Sequence, residues 1–285
     1  MTSMVGEEYT VPSQRKRREI AKYAAVVLGT TIVLATCFAI FHVTSNWAAN
    51  ALMFIPGGWA AIFLLRSQRF RSVGWGPGNL SSWLWAILLP IIVIGVSLAF
   101  WRWAGYAAAA PASSSAARLA GDPIKLLLNM LLYVGISIPL AFGEELGWRG
   151  YAQPTLTREF GLVNGLLLLG LLWGFWHSPI YYVMRVYPSH PILGSFVMTP
   201  IDNILAVVPM AWFYSRSKSI WVPTFVHAFA DVLWGFSDLL YPKTHEVQAW
   251  AILEGVQLVV SLILLIKLRS DEQGESALRE APAGV

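Results

Sequence analysis

The chain has 285 residues, 56% of them hydrophobic and 13% charged, with a mean hydropathy of +0.57. A water-soluble domain of this size needs far more charge to cover its surface, so the composition excludes an ordinary soluble enzyme and points to a polytopic, all-α membrane protein. The net charge of +4 raises the question of an anionic partner. The basic residues border apolar runs without aromatic interleaving, however, so they read as topology signals and nucleic acid is excluded as a partner.

A helix needs about 20 mostly apolar residues to cross the hydrocarbon layer. Eight stretches qualify: 20–43, 47–66, 82–104, 124–146, 161–183, 193–215, 219–241 and 247–268. They divide the chain into a basic N-terminal segment (1–19), a transmembrane bundle (20–268) and a polar, disordered tail (269–285). The first stretch follows "QRKRREIAKY" and is long, without a small-residue cleavage site, so it is expected to stay attached. Cys37 lies within it and is the single cysteine, which excludes an intrachain disulfide framework. Between the third and fourth spans, "GYAAAAPASSSAARLAGD" reads as a flexible external loop. With the N-terminus inside, fifteen of the 20 Lys and Arg residues fall on the inner side, leaving Arg102, Arg118, Lys125, Arg185 and Lys243 outside. Both termini are therefore expected in the cytoplasm, and the cell membrane is the expected location.

An ionisable side chain at membrane depth is costly and is a functional candidate by default. The fourth span ends in "AFGEELGWRGY". On a helix, residues i and i+4 share a face, so Glu145 can pair with Arg149 while Glu144 points elsewhere. The carboxylate left unpaired in an apolar pocket is the better general base, which assigns Glu144 to that role and Glu145 to an orienting one. The fifth span carries "LLWGFWHSPI", with Trp173 and His177 at i and i+4; Pro179 just beyond is expected to bend the helix and open space beside the imidazole. The seventh carries "PTFVHAFADVLWGFSD", with His227 and Asp231 one turn apart, a pair that can orient each other, ligate a metal or relay a proton. Asp202, Asn203 and Glu254, on the sixth and eighth spans, lack a companion pattern and read as structural. Each motif also has a plainer reading: an exposed Glu145–Arg149 pair at a helix end, a structural His177 among tryptophans, and an interhelical His227–Asp231 pair.

The three pieces occur in order on three spans: "EELGWR" fits Glu-Glu-x-x-x-Arg, "WGFWH" fits aromatic-x-x-x-His and "HAFAD" fits His-x-x-x-Asn/Asp. Together they resemble the CAAX protease and bacteriocin-processing enzyme (CPBP, or Abi) family of intramembrane proteases, which includes the CAAX prenyl endopeptidases. The likeness covers a core of about 123–240. It implies peptide-bond hydrolysis in a polar cavity between spans four, five and seven. Carried onto this chain, it makes Glu144 the base that activates water, assisted by His177. His227 and the residue at 231 would stabilise the oxyanion, and Arg149 would hold Glu145. An ionised Asp231 would repel an oxyanion, so it acts either protonated or by orienting His227. A metalloendopeptidase reading stays open, in which Glu144 or Glu145 with His177 and His227 holds zinc, although the resemblance does not require a metal. The implied partners are a peptide or protein substrate and the lipid bilayer. A proton-coupled carrier, or a non-catalytic immunity or scaffold member of the family, is the alternative.

One geometric conflict follows from these edges. His177 lies about 24 Å into its span at 1.5 Å per residue, whereas Glu144 stands at the inner end of span four. Contact requires the span-four helix to run on through "LGWRGYAQPTL", with span five starting near Leu166.

Overall fold

In the computed structural model, residues 14–280 are described; the expectations for residues 1–13 and 281–285 lie outside them. The helices are α1 (Gln14–Ile40), α2 (Asn46–Ala51), α3 (Phe54–Arg66), α4 (Leu80–Trp103), α5 (Ser115–Ala120), α6 (Pro123–Gly147), α7 (Gln153–Phe160), α8 (Leu162–Val183), α9 (Pro191–Leu193), α10 (Thr199–Ser217), α11 (Trp221–Leu240) and α12 (Glu246–Glu280). No strand occurs among the described residues. One isolated bridge joins Ala107 to Lys243.

The eight rods match the eight predicted stretches, with α2 and α3 sharing the second. By length and composition, seven spans among the described residues are apolar enough to cross a membrane. The rod missing from these seven is α11: its 20 residues suffice in length, but His227, Asp231 and Asp238 dilute its apolar character. The bundle closes as a ring in which α11, α6, α3, α1, α8, α10, α12 and α4 pack in succession and α4 returns to α11. The layout is inverted relative to a soluble protein. Leu84, Leu88, Leu131 and Leu262 face outward, while Glu144, Glu145 and Arg149 are fully buried.

One departure from the predicted edges, at the end of span four, positions the site, while α8 keeps to within one residue the bounds predicted for span five, 161–183. The fourth span does not stop at 146. It continues through a π-helical turn (Trp148–Ala152) into α7, giving one rod of 38 residues, Pro123–Phe160. Gly161, at φ +76°, then reverses the chain directly into α8, which begins at Leu162 rather than near Leu166. Glu144 lies 17 residues before Gly161 and His177 lies 16 after it, so the two stand at equal depth in a helical hairpin. The conflict came from placing the turn too early.

Glycines let the rods approach. In "GEELG", a Cβ on Gly143 would stand 2.8 Å from the Met53 carbonyl oxygen, and one on Gly147 would stand 2.7 Å from the Tyr23 hydroxyl. In "GLLWG" on α8, Gly170 and Gly174 lie against α10. Small residues four apart permit this close backbone contact between helices in lipid. At Gly174 an added methyl would collide with the Pro200 Cα and also meet Pro200 N at 3.1 Å and Pro200 Cβ at 3.2 Å. Gly174→Ala is therefore expected to destabilise the bundle by about 1–3 kcal/mol, as overpacking does, read as a lowered thermal midpoint in detergent.

Pro179 is accommodated inside α8, which runs on to Val183, with the Ser178 hydroxyl donating to the Gly174 carbonyl at 3.0 Å. The segment 105–122, expected as a flexible loop, contains α5 and is tied down by Ala110 N–H to Leu240 O at 2.9 Å and Thr244 N–H to Tyr106 O at 2.9 Å. Lys243 adds to this tie through its backbone bridge to Ala107, and its ammonium is anchored on α11, 3.8 Å from the Trp234 ring centroid and 2.7 Å from Asp238 Oδ1. The tail expected to be disordered from 269 is helical as far as Glu280.

Candidate active site

The six predicted site residues meet inside the ring where α6, α8 and α11 face one another. They form two linked groups, one around Glu144 and one around Glu145.

Glu144 is fully buried. Its Oε2 accepts from two indoles, Trp173 Nε1–H at 2.7 Å and Trp148 Nε1–H at 3.1 Å. Its Oε1 has no hydrogen-bond donor and stands 3.9 Å from His177 Nε2, too far for a direct bond. One oxygen is thus fixed and the other is open, facing an imidazole. His177 is itself held by rings, with centroids 4.6 Å from Trp176 and 4.8 Å from Tyr181.

Glu145 is also fully buried. Its Oε1 takes both Arg149 Nη1 at 3.1 Å, one turn along the same rod, and His227 Nδ1 at 2.8 Å from α11. An ionised Glu145 accepts only, so His227 Nδ1 carries the proton in that contact. The second ring nitrogen, Nε2, is 3.6 Å from Asp231 Oδ2. The Asp231 side chain is 55% exposed, against 9% for His227, so Asp231 marks the open side of an otherwise closed centre. The expected Glu145–Arg149 pair is present, but buried rather than at an exposed helix end. The expected His227–Asp231 proximity is present too, with Glu145 as the closer partner of the ring.

Trp173 joins the groups. Its N–H holds Glu144, the Arg149 guanidinium carbon lies 4.4 Å from its ring centroid, and its ring is 5.5 Å from that of His227. Sequence reasoning noted Trp173 only for its spacing to His177 and missed Trp148 and Trp173 as donors. The available signal was their spacing, Trp148 four residues after Glu144 and Trp173 four before His177. Trp173→Phe keeps a ring and removes one donor to an ionised group, an interaction worth about 1.5–3 kcal/mol. We expect kcat for any activity of this centre to fall by about tenfold to a hundredfold with KM little changed, measured by steady-state kinetics on the purified variant.

The donors do not converge on one point as zinc ligands would. Glu144 Oε2 and His227 Nδ1 are committed to other partners, and no group of three or more His, Cys, Asp or Glu side chains able to hold a metal ion occurs among the described residues. The ligand set Glu144, His177 and His227 is not assembled. Two cavities of about 300 Å³ lie away from these atoms, one of them apolar and bounded by Trp83, Trp221 and Phe225.

Residues 125–233, which include all six site residues, match the family described as type II CAAX prenyl endopeptidase Rce1-like. The chain is also 34% identical over 67 residues to a protein of Methanococcus maripaludis named CAAX prenyl protease 2, a match covering 24% of this chain. The chain thus spans about a quarter of the length of that curated relative, 24% of it. The core of the chain, with all six site residues in it, is thus similar to the type II CAAX prenyl endopeptidase family.

Proposed function

We propose that the chain is an intramembrane endopeptidase that hydrolyses a peptide bond of a membrane-associated or peptide substrate with water activated by Glu144. The observation that carries this reading is the division of labour at Glu144: Oε2 pinned by two indoles, Oε1 unpartnered and 3.9 Å from His177 Nε2.

A water bound between Glu144 Oε1 and His177 Nε2 loses a proton to Oε1 as its oxygen bonds to the scissile carbonyl carbon. The negative charge that develops on the carbonyl oxygen is met by His227, which in its doubly protonated form donates Nδ1–H to Glu145 and presents Nε2–H on the Asp231 side. Asp231 works by orienting His227, since an ionised carboxylate cannot donate. The C–N bond then breaks, the amine takes the proton from Glu144, and the base is restored. Arg149 and Glu145 hold the second imidazole in place throughout. The substrate enters on the Asp231 side, and the distribution of Lys and Arg puts both termini in the cytoplasm.

Single replacement of Glu144 by Gln, or of His177 or His227 by Ala, is expected to abolish cleavage of a membrane peptide reporter while the proteins remain monodisperse in detergent. Cleavage unchanged in all three would overturn the reading. Comparing new N-termini in membranes with and without the Glu144→Gln protein identifies the substrate.

A further inference from the structure

Asp202 and Glu254 take no part in the chemistry above. Asp202 lies near the start of α10, and Glu254 lies on α12 with Gln257 one turn further on. Gln257 Nε2–H donates to Asp202 Oδ1 at 3.1 Å, and the next polar tie along the same seam runs from the Ser261 hydroxyl to the Leu205 carbonyl at 2.8 Å. Residues 254, 257 and 261 therefore form one face of α12 against α10. Glu254 stands one turn before Gln257 on this face, which brings its carboxyl alongside that of Asp202. Glu254 is 6% exposed, and neither of its oxygens has a donor.

Two ionised carboxylates offer acceptors only, so they cannot bond each other. Leaving such a pair ionised inside a membrane bundle carries both mutual repulsion and the desolvation cost of two charges. Of the titratable groups around the pair, Asp231 from α11 adds to the repulsion, whereas Tyr181 from α8 and Tyr187 from the connection that follows bring phenols, with Glu246 at the start of α12 near Tyr187. Tyr187 remains a neutral phenol, because burial and the nearby Asp202 hold its hydroxyl well above the usual range.

We propose that Asp202 and Glu254 form a proton-binding site. One proton shared between them turns two acceptors into a hydrogen-bonded carboxyl–carboxylate pair, and the Gln257 amide stabilises the one remaining charge. The ligand is a proton, and the site fastens α12 to α10.

Infrared difference spectroscopy of the full chain at neutral pH tests this. The wild-type protein should show a carboxylic acid C=O stretch that shifts in D2O and is lost in both Glu254→Gln and Asp202→Asn, because either amide supplies the missing donor and lets the remaining acid ionise. In wild-type protein with carbon-13 in the aspartate or the glutamate carboxyls, part of that band should move in each sample, a result that does not depend on the folding of any variant. Absence of the band from the wild type, its survival in both variants, its loss in one variant alone, or a shift with one label alone would overturn the proposal.

Discussion

Glu144→Gln is expected to lower kcat/KM for a cleaved reporter by about 10²- to 10⁴-fold, the usual contribution of a positioned general base, with little change in thermal midpoint. Glutamine matches the volume of glutamate, and its carbonyl oxygen can still accept from the Trp148 and Trp173 indoles, so packing around Trp176 and Tyr23 is preserved. What is lost is the atom that takes a proton. Kinetics on the purified variant beside a thermal melt separate the two effects: activity within twofold of wild type would remove Glu144 as the base, and a collapsed melt would make it structural.

Arg149→Met should be the most destabilising single change at the site. Arg149 and Glu145 are both fully buried and paired at 3.1 Å. Removing one partner of a buried ion pair strands the other charge, at a cost of about 3–5 kcal/mol. His227 remains against Glu145 Oε1 but cannot replace the cation–π support that the guanidinium gains from Trp173. The double variant Arg149→Met, Glu145→Gln removes both charges and is expected to regain much of the loss in a denaturation series. Its activity should stay low, since His227 then faces an amide instead of a carboxylate. A single variant as stable as wild type would show that the pair is not needed to hold the bundle.

Features confined to one helix were legible in the sequence. Seven of the rods followed from apolar length, and the pairing of Arg149 with Glu145 rather than Glu144 followed from the four-residue spacing. Features that depend on how one rod is rotated and shifted against another were not. The bond from His227 to Glu145 Oε1, the indole bond from Trp173 to Glu144 and the meeting of Asp202 with Glu254 and Gln257 all cross between helices, where spacing along one chain segment carries no information about depth. The span-four boundary was misplaced for a related reason. Arg149 and Gln153 look like the polar end of a helix, yet both are buried within a continuing rod. Apolarity also understates α11, whose inward face carries the polar residues of the centre.

The π-helical turn at Trp148–Ala152 has a bearing on how the gene can change. Such a turn accommodates one surplus residue within an otherwise regular helix. Deleting a single codon there would relax it to ordinary winding and swivel everything beyond by about 100°. Glu159 would then turn away from Lys16, which it now meets at 3.7 Å, and Thr157 would leave its seat against Gly165. Codon loss should be tolerated far less here than in the Ala/Ser-rich stretch near Ser113.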